Sequence, residues 1–433
     1  MSGLADQLFR RESGRMLAAL TRILGPANLG LAEDAVQDSL IRALELWPFQ
    51  GIPENPHAWL ITVARNRALD HLRREKILES NADAIVSTLE SGVPDSNCFA
   101  DDRLAMIFLC CHPALAPEAR VTLTLKSVVG FGVREIARAF LLSPTAVAQR
   151  LVRAKRVLRA QEIVFEMPEG RDLEARLDSA LEVIYLIFNE GYLAHGGEHL
   201  IRADLCEEAI FLGRLLANNP RTQSPRSHAL LALMLLIAAR LPSRLDGEGE
   251  LLLLEEQDRT QWDQARIAEG MAQLERSARG DEESVYHIEA AIASAHHAKP
   301  VDWNYIAALY DDLLARKNTP VVALHRAVAV FKRDGPAAAI ALLEDIEGHP
   351  NMGSYYLLPS ALAELWLHLG DRKKAALYFG EALACECTAP ERRRLESRAA
   401  AVFQRNVINA PFSMAEEGIE KVWNPAPSLI PER

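Results

Sequence analysis

The residues whose chemistry stands out most are five closely spaced cations: Arg150, Arg153, Lys155, Arg156 and Arg159. No acidic residue lies between Ile136 and Gln161, so this charge is not neutralised locally. Ser143 suits an N-cap and Pro144 the first helical position, where a missing N–H costs nothing. The stretch Val133–Arg159 therefore predicts a helix-turn-helix whose second helix enters the DNA major groove. A solvated basic helix in a bundle is the alternative.

A second candidate surface lies on a helix predicted from Leu31 to Trp47. Asp34, Gln37 and Asp38 share one strip, because residues three and four apart are neighbours on a helix. The pattern places Glu33 on the exposed side and Leu44 against a core. An acidic strip beside a DNA-binding module indicates a basic protein surface as its partner. A merely solvated helix face is the alternative.

A third candidate surface is the helix predicted from Pro56 to Glu75, after a proline-rich bend. Its candidate residues are Trp59, Arg65, Arg67, Arg73 and Arg74. An indole ring can stack on an unpaired base, and guanidinium groups bind phosphates. A tryptophan in the core would be the ordinary alternative for Trp59.

Residues that could support metal or catalytic chemistry do not form a recognisable constellation. The six cysteines lack the spacing of zinc ligands and are expected to be reduced thiols. A metal or acid–base cluster could be read from Glu190, His195, Glu198 and His199. Their spacing is irregular, which argues against this interpretation. We expect no metal site, no cofactor and no enzymatic activity.

The charge of the chain divides unevenly along its length. Residues 1–160 carry 20 Lys and Arg against 17 Asp and Glu, whereas residues 161–433 carry 28 against 42. A mildly basic first part and an acidic remainder suggest a different partner for each. The sequence opens without a signal peptide, and its longest apolar run is too short to span a bilayer. We therefore expect a cytoplasmic protein without a membrane partner.

Two long motifs carry a resemblance to a known family. They are A-E-D-x-x-Q-D-x-x-x-R-A-L from Ala32 and P-x-A-W-L-x-x-V-A-R-N-R-A-L-D-x-L-R-R from Pro56, followed by the helix-turn-helix. Over residues 5–160 the chain resembles bacterial sigma factors of the extracytoplasmic-function (ECF) group. The resemblance implies an all-α fold with a sigma-2 domain over 5–76, an acidic linker over 77–102 and a sigma-4 domain over 103–160.

The resemblance also implies partners, RNA polymerase core and promoter DNA, and roles for the candidate residues. Asp34, Gln37 and Asp38 match the positions that contact the clamp helices of the polymerase β′ subunit. Trp59, Arg65, Arg67, Arg73 and Arg74 belong to the helix that melts and reads the −10 element. In the sigma-4 helix that reads the −35 element, we expect Thr145, Gln149 and Arg153 to reach bases and Arg150, Lys155 and Arg156 to bind phosphates.

The acidic remainder, residues 171–433, is predicted to be helical throughout. Leu324–Leu343 aligns with Ser360–Phe379 at a 36-residue offset, close to the period of the tetratricopeptide repeat (TPR). The stretches Leu181–His195 and Arg244–Asp263 look less like generic repeats. A TPR-like superhelix offers a groove for a protein or peptide partner. The whole chain resembles a sigma-factor subgroup with such an extension, which implies that the extension regulates sigma activity.

Two other classes of function remain open at this stage. One is a helix-turn-helix repressor or activator with a sensing helical-repeat domain that acts without docking on polymerase. The other is a ligand sensor or small-molecule enzyme in the acidic part. The predicted helix Leu31–Trp47 distinguishes a sigma factor from the repressor or activator, because a simple repressor does not need a strip that docks on polymerase. The lack of an assembled catalytic constellation counts against an enzyme.

Overall fold

A computed structural model describes residues 2–75, 99–140, 142–192, 201–246 and 252–404, apart from 253, 255 and 354. Residues 77–98 of the predicted acidic linker and the candidates His195, Glu198 and His199 therefore lie outside the described residues, whereas the last residues of that linker, 99–102, begin the helix Phe99–Cys110. The prediction of an all-α fold is confirmed. The chain divides into two compact units, Met1–Leu186 (unit 1) and Ile187–Arg433 (unit 2).

Unit 1 contains the three stretches that carry the candidate residues. Its helices are α1 Ser2–Leu24, α2 Leu29–Gln50, α3 Pro56–Glu75, α4 Phe99–Cys110, α5 Pro117–Thr124, α6 Val133–Ala139, α7 Pro144–Ala160 and the first part of α8, Gly170–Tyr192. A π-helical segment, Leu125–Val129, continues α5. The predicted bounds of α3 are confirmed.

The helix-turn-helix forms as the sequence predicts. The Ser143 hydroxyl caps α7 by accepting a hydrogen bond from the Ala146 N–H at 3.1 Å. Val147, Leu151 and Leu158 turn their side chains into the core and leave the rest of α7 to carry polar groups. The cap and the apolar stripe are both local properties, so they fix the start and the rotation of this helix.

Helix α2 differs from its prediction in three details. Its buried stripe follows helical spacing and contains Leu29, Ala32, Ala35, Val36, Ser39 and Ala43. Leu44 lies about 100° from that stripe and is 63% exposed, so its predicted place in the core is wrong. Glu33, expected on the exposed side, is buried. The helix also continues past Trp47 and includes Pro48 in its last turn.

Helix α1 packs closely on the π-helical segment, and a glycine permits the approach. A Cβ atom built on Gly14 would lie 2.2 Å from the carbonyl oxygen of Val128, far inside van der Waals contact. The segment's Val128 and Val129 are buried, as are Met16 and Leu17 next to Gly14. The helices of the predicted sigma-2 and sigma-4 domains therefore share one core in unit 1.

Unit 2 consists of the rest of α8 and a succession of further helices. They are α9 Ala203–Asn218, α10 Pro225–Ala238, α11 Gln264–Ser277, α12 Val285–Ala295, α13 Trp303–Arg316, α14 Pro320–Asp334, α15 Pro336–Glu347, α16 Leu357–His368, α17 Arg372–Ala384 and α18 Ala389–Gln404. The longest apolar run of the sequence forms α10, which is buried on nearly all sides. A bilayer requires about 20 apolar residues in one helix, and the described part of the chain has no helix that meets this need.

The aligned stretches of unit 2 form two similar helix pairs. Gly335, with a φ of 91°, joins α14 to α15, and Gly370, with a φ of 82°, joins α16 to α17. Ala339 and Ala375, at aligned positions, are both fully buried. Small side chains let the paired helices approach, as the sequence predicts. The assignment of these pairs to the TPR class stays a prediction.

Candidate nucleic-acid interface

Helix α7 presents an exposed face at intervals of four residues. Thr145, Gln149 and Arg153 are exposed on it, and the Arg153 guanidinium donates a hydrogen bond to the Gln149 amide oxygen at 3.3 Å. Arg156 is also exposed and makes no hydrogen bond or ion pair with the described residues. Hydroxyl, amide and guanidinium groups in a row near a helix N-terminus can contact base edges in a major groove.

Two other cations of α7 turn toward the protein. The Lys155 ammonium donates a hydrogen bond to the Glu33 carboxylate at 2.5 Å, and the Ser127 hydroxyl lies 3.4 Å from the other oxygen of that carboxylate. Arg159 donates to the Ala27 carbonyl oxygen through two nitrogens, at 3.0 and 3.2 Å. Of the predicted phosphate-binding residues, Arg150 is half-buried, Arg156 is exposed and Lys155 is engaged by α2.

The acidic strip on α2 is available to a partner, and it continues into an apolar patch. Asp34 and Gln37 are exposed, and Asp38 is half-buried. Ile41 is 54% exposed and Leu44 63% exposed. These two side chains were not among the predicted site residues, although Ile41 stands seven residues after Asp34 and four after Gln37. Exposed apolar groups next to charged ones are typical of protein interaction sites.

The strip on α2 adjoins the basic surface of α3. The Asp38 carboxylate and the Arg67 guanidinium form an exposed ion pair at 3.1 Å. An exposed pair of this kind contributes at most about 1 kcal/mol, so a partner or DNA can separate it at little cost. The predicted polymerase-binding strip and the predicted −10 surface are therefore neighbours in unit 1.

The aromatic and basic candidates on α3 are in different environments. Trp59 is half-buried, and its ring centroid lies 5.6 Å from that of Trp47 in a tilted arrangement. Arg65 is half-buried, Arg73 is exposed, and the side chain of Arg74 lies outside the described residues. Sequence reasoning missed two apolar side chains that precede α3, Phe49 at 89% exposure and Ile52 at 71%.

Other chemistry is not assembled in the part of the chain that the structure describes. That part contains no group of three or more His, Cys, Asp or Glu side chains placed to hold a metal ion. Burial raises the pKa of the Cys111 thiol and of the Cys206 thiol to about 12, so neither is a thiolate at neutral pH.

Comparison with known proteins follows the same division of the chain. Residues 8–77 match the model of Sigma-70 region 2, and residues 105–158 match that of Sigma-70 region 4. The ECF RNA polymerase sigma factor SigL of Mycobacterium tuberculosis is 32% identical over 162 residues, which cover 36% of this chain and 88% of SigL.

The chain belongs to the ECF family of RNA polymerase sigma factors. The sigma factor CarQ of Myxococcus xanthus is 28% identical over 155 residues, covering 36% of this chain and 86% of CarQ. An uncharacterised protein of Rhizobium meliloti is 40% identical over 376 residues, or 84% of this chain and 88% of that protein. Residues 176–278 match a family of unknown function, DUF6596. No solved structure matches this ECF sigma factor.

In this ECF sigma factor, α1 to α3 carry region 2, and region 4 includes the helix-turn-helix α6–α7. The strip of α2, the basic candidates of α3 and the exposed row of α7 lie on these two regions. The chain is a transcription initiation factor whose partners are RNA polymerase core and promoter DNA, as the family requires.

Proposed function

We propose that the strip formed by Asp34, Gln37 and Asp38 docks on the clamp helices of the polymerase β′ subunit, with Ile41 and Leu44 extending the contact. The observation that carries this proposal is that Asp34, Gln37, Ile41 and Leu44 are exposed on one face of α2, with the half-buried Asp38 beside them. Apolar groups there supply buried area, while the acidic groups select a basic partner surface.

The two DNA surfaces would divide the work of promoter recognition. Melting of the −10 element needs an aromatic surface and a pocket for an extruded base, at a cost of a few kcal/mol per base. Trp59 with Phe49 and Ile52 offers such a surface, and Arg65, Arg67, Arg73 and Arg74 offer cations for phosphates. The −35 element stays duplex, so the exposed row of α7 can read it in the major groove.

In unit 1 the helices of region 2 pack against those of region 4, and we call this arrangement closed. It would have to open before one chain could contact the −10 and −35 promoter elements at the same time. Elements about 25 base pairs apart are separated by roughly 85 Å at 3.4 Å per base pair. Helices α2 and α7, in contrast, are joined directly through Glu33 and Lys155. We infer that the packed arrangement is the free state and that binding to core separates region 4 from region 2.

The docking proposal is tested by the variant Asp34→Ala with Gln37→Ala in the full chain. We expect at least tenfold weaker binding to polymerase core, a loss of about 1.4 kcal/mol or more, and a matching loss of run-off transcripts. Asp70→Ala removes an exposed carboxylate from α3 and serves as the control for lost negative charge.

Unchanged core affinity in the double variant would contradict docking through α2. If the chain then bound specific duplex DNA without core, the helix-turn-helix regulator with a sensing domain would become the better description of how it acts.

Regulation by the C-terminal part is the second element of the proposal. Helix α8 begins in unit 1 and continues without interruption to Tyr192. In unit 1, the Arg120 guanidinium of region 4 donates a hydrogen bond to the Ser179 hydroxyl of α8 at 2.7 Å. A change in the position of α8 would thus reach region 4 through a direct contact. In this proposal the signal is a protein or peptide bound in the groove of a TPR-like unit 2.

Run-off transcription on a promoter library would test this regulation. The full chain is compared with a version that ends after Leu186, whose helical content is first checked by circular dichroism. We expect transcript levels to differ at least several-fold, because unit 2 would restrain or support the opening of unit 1. Equal transcription by two folded proteins would contradict a regulatory role for unit 2.

A further inference from the structure

Two stretches that the repeat pattern does not explain meet inside unit 2. Tyr192 comes from Leu181–His195, and Arg244 comes from Arg244–Asp263. The Arg244 guanidinium carbon lies 3.7 Å from the centroid of the Tyr192 ring, and the guanidinium also donates a hydrogen bond to the Tyr192 carbonyl oxygen. Arg240, just after α10, donates to the Tyr192 hydroxyl at 3.0 Å.

Arg240 and Arg244 are both buried cations, each only 3% exposed. Neither forms an ion pair with a carboxylate of the described residues. A buried ion without a partner costs several kcal/mol even after relaxation. The carbonyl ends of α8 and α10 offer partial negative charge, about half a unit each, which leaves part of the positive charge uncompensated.

The described residues use only a small part of the hydrogen-bonding capacity of the two guanidinium groups. Each guanidinium carries five N–H bonds, and each donates one hydrogen bond to the described residues, both of them to Tyr192. Paired guanidinium groups of this kind bind the oxygens of a carboxylate or a phosphate through parallel N–H bonds.

Two neutral polar side chains, Asn189 and His297, belong to the same part of unit 2, and the Glu391 carboxylate acts on Arg244 electrostatically without forming an ion pair with it. Asn189 lies one helical turn before Tyr192 and is 8% exposed, and neither its amide nitrogen nor its amide oxygen makes a hydrogen bond with the described residues. Burial and the charge of Arg240 lower the pKa of His297 to about 4. At neutral pH this ring adds no further positive charge, and its Nδ1 has no hydrogen-bond partner among the described residues.

We propose that Arg240, Arg244 and Asn189 form a binding site in unit 2 for a small molecule carrying an oxyanion, a carboxylate or a phosphate group. The oxyanion would accept hydrogen bonds from the guanidinium N–H groups that have no acceptor among the described residues, and it would neutralise their charge. The Asn189 amide would bind a neutral polar group of the same molecule. This binding step involves neither polymerase nor DNA, so it is independent of the function proposed above.

The test uses the purified full chain, with inorganic phosphate and succinate as separate probes. Calorimetric titration measures binding, and thermal unfolding is compared with sodium chloride at matched ionic strength. We expect one probe or both to bind saturably, with one molecule per chain, and to raise the unfolding temperature of the chain. Saturation by phosphate alone assigns the site to phosphorylated ligands, and saturation by succinate alone assigns it to carboxylates.

Arg240→Met is the decisive variant, and Arg279→Met is its control. Arg279 is an exposed arginine of unit 2 that forms no ion pair with the described residues. We expect Arg240→Met to abolish saturable binding and Arg279→Met to retain it. If Arg240→Met does not fold, Arg240→Lys keeps the charge but loses the planar fork, and we expect at least tenfold weaker binding.

Two results would overturn the proposal. The first is the absence of saturable binding of either anion to the wild-type chain. The second is binding that is equally strong in Arg240→Met, or in Arg240→Lys if that variant replaces it. A supporting result without any ligand is that Arg240→Met is at least as stable as the wild type, because an uncompensated cation has been removed.

Discussion

Single side chains of α7 divide between the DNA-facing and the protein-facing sides of one basic helix. Thr145, Gln149 and Arg153 stay exposed, while Lys155 pairs with Glu33. All are polar, and spacing alone does not say which cations another helix will cover. The role of the exposed row in reading the −35 element stays a prediction, and the proposed closed state of unit 1 would give Lys155 the role of joining α7 to α2.

A buried histidine gives a prediction at the same scale. His325 on α14 is 4% exposed, and burial and then Lys317 lower its pKa from 6.5 to about 4. Since the folded pKa lies below that of the unfolded chain, the unfolded state binds more protons between pH 6.5 and 4. Stability therefore falls as the pH falls through this window, by about 2 kcal/mol at pH 5 from this one group.

Urea unfolding of the wild type and of His325→Gln at pH 7 and pH 5 measures this effect. The comparison uses the change in the free energy of unfolding between the two pH values, so an overall loss of stability in the variant does not matter. We expect His325→Gln to reduce the acid destabilisation by about 2 kcal/mol. An identical pH dependence in both proteins would show that His325 is not buried in its neutral form.

At the scale of elements, the contact between α1 and the π-helical segment joins region 2 to region 4. Gly14→Ala should lower the free energy of unfolding by more than about 1 kcal/mol, because its Cβ would meet the Val128 carbonyl oxygen at 2.2 Å. Gly30→Ala on α2 is the matched control, since a Cβ there meets nothing within 4 Å. Helix propensity alone favours alanine over glycine by up to about 1 kcal/mol.

Denaturant unfolding of both variants separates packing from propensity. If Gly14→Ala stabilised the protein as much as Gly30→Ala, α1 and the segment Leu125–Val129 would not be in close contact. Loss of stability in Gly14→Ala alone would support the shared core of unit 1.

At the scale of the whole molecule, the closed state of unit 1 should compete with polymerase. Lys155→Met removes the ion pair between α7 and α2 and leaves the Glu33 carboxylate buried, which should destabilise closed unit 1 by about 1–3 kcal/mol. When only a fraction of the free protein is competent to bind, apparent affinity rises with that fraction. We expect core to bind Lys155→Met several-fold more tightly than the wild type.

Arg156→Met is the control for this prediction, because it removes a neighbouring exposed cation of α7. Its core affinity should match that of the wild type, while its DNA affinity should fall uniformly across sequences as a phosphate contact is lost. Core affinities that are equal in all three proteins would argue against closure as a barrier to docking.

The sequence by itself determined those features that depend on near neighbours along the chain. The bounds of α3, the Ser143 cap of α7 and the glycine turns between paired helices follow from capping, periodicity and backbone freedom within a few residues. The motifs of regions 2 and 4 are likewise continuous, so the family and the strip Asp34, Gln37 and Asp38 could be predicted before any packing was known.

Only the tertiary structure decided which of these surfaces are covered. Glu33 and Lys155 stand 122 residues apart, so neither local spacing nor charge pattern shows that they meet. The burial of Arg240 and Arg244 against Tyr192 likewise depends on helices distant in sequence. Whether a side chain is buried or paired depends on the residues that pack against it, and those neighbours are fixed only when the helices assemble.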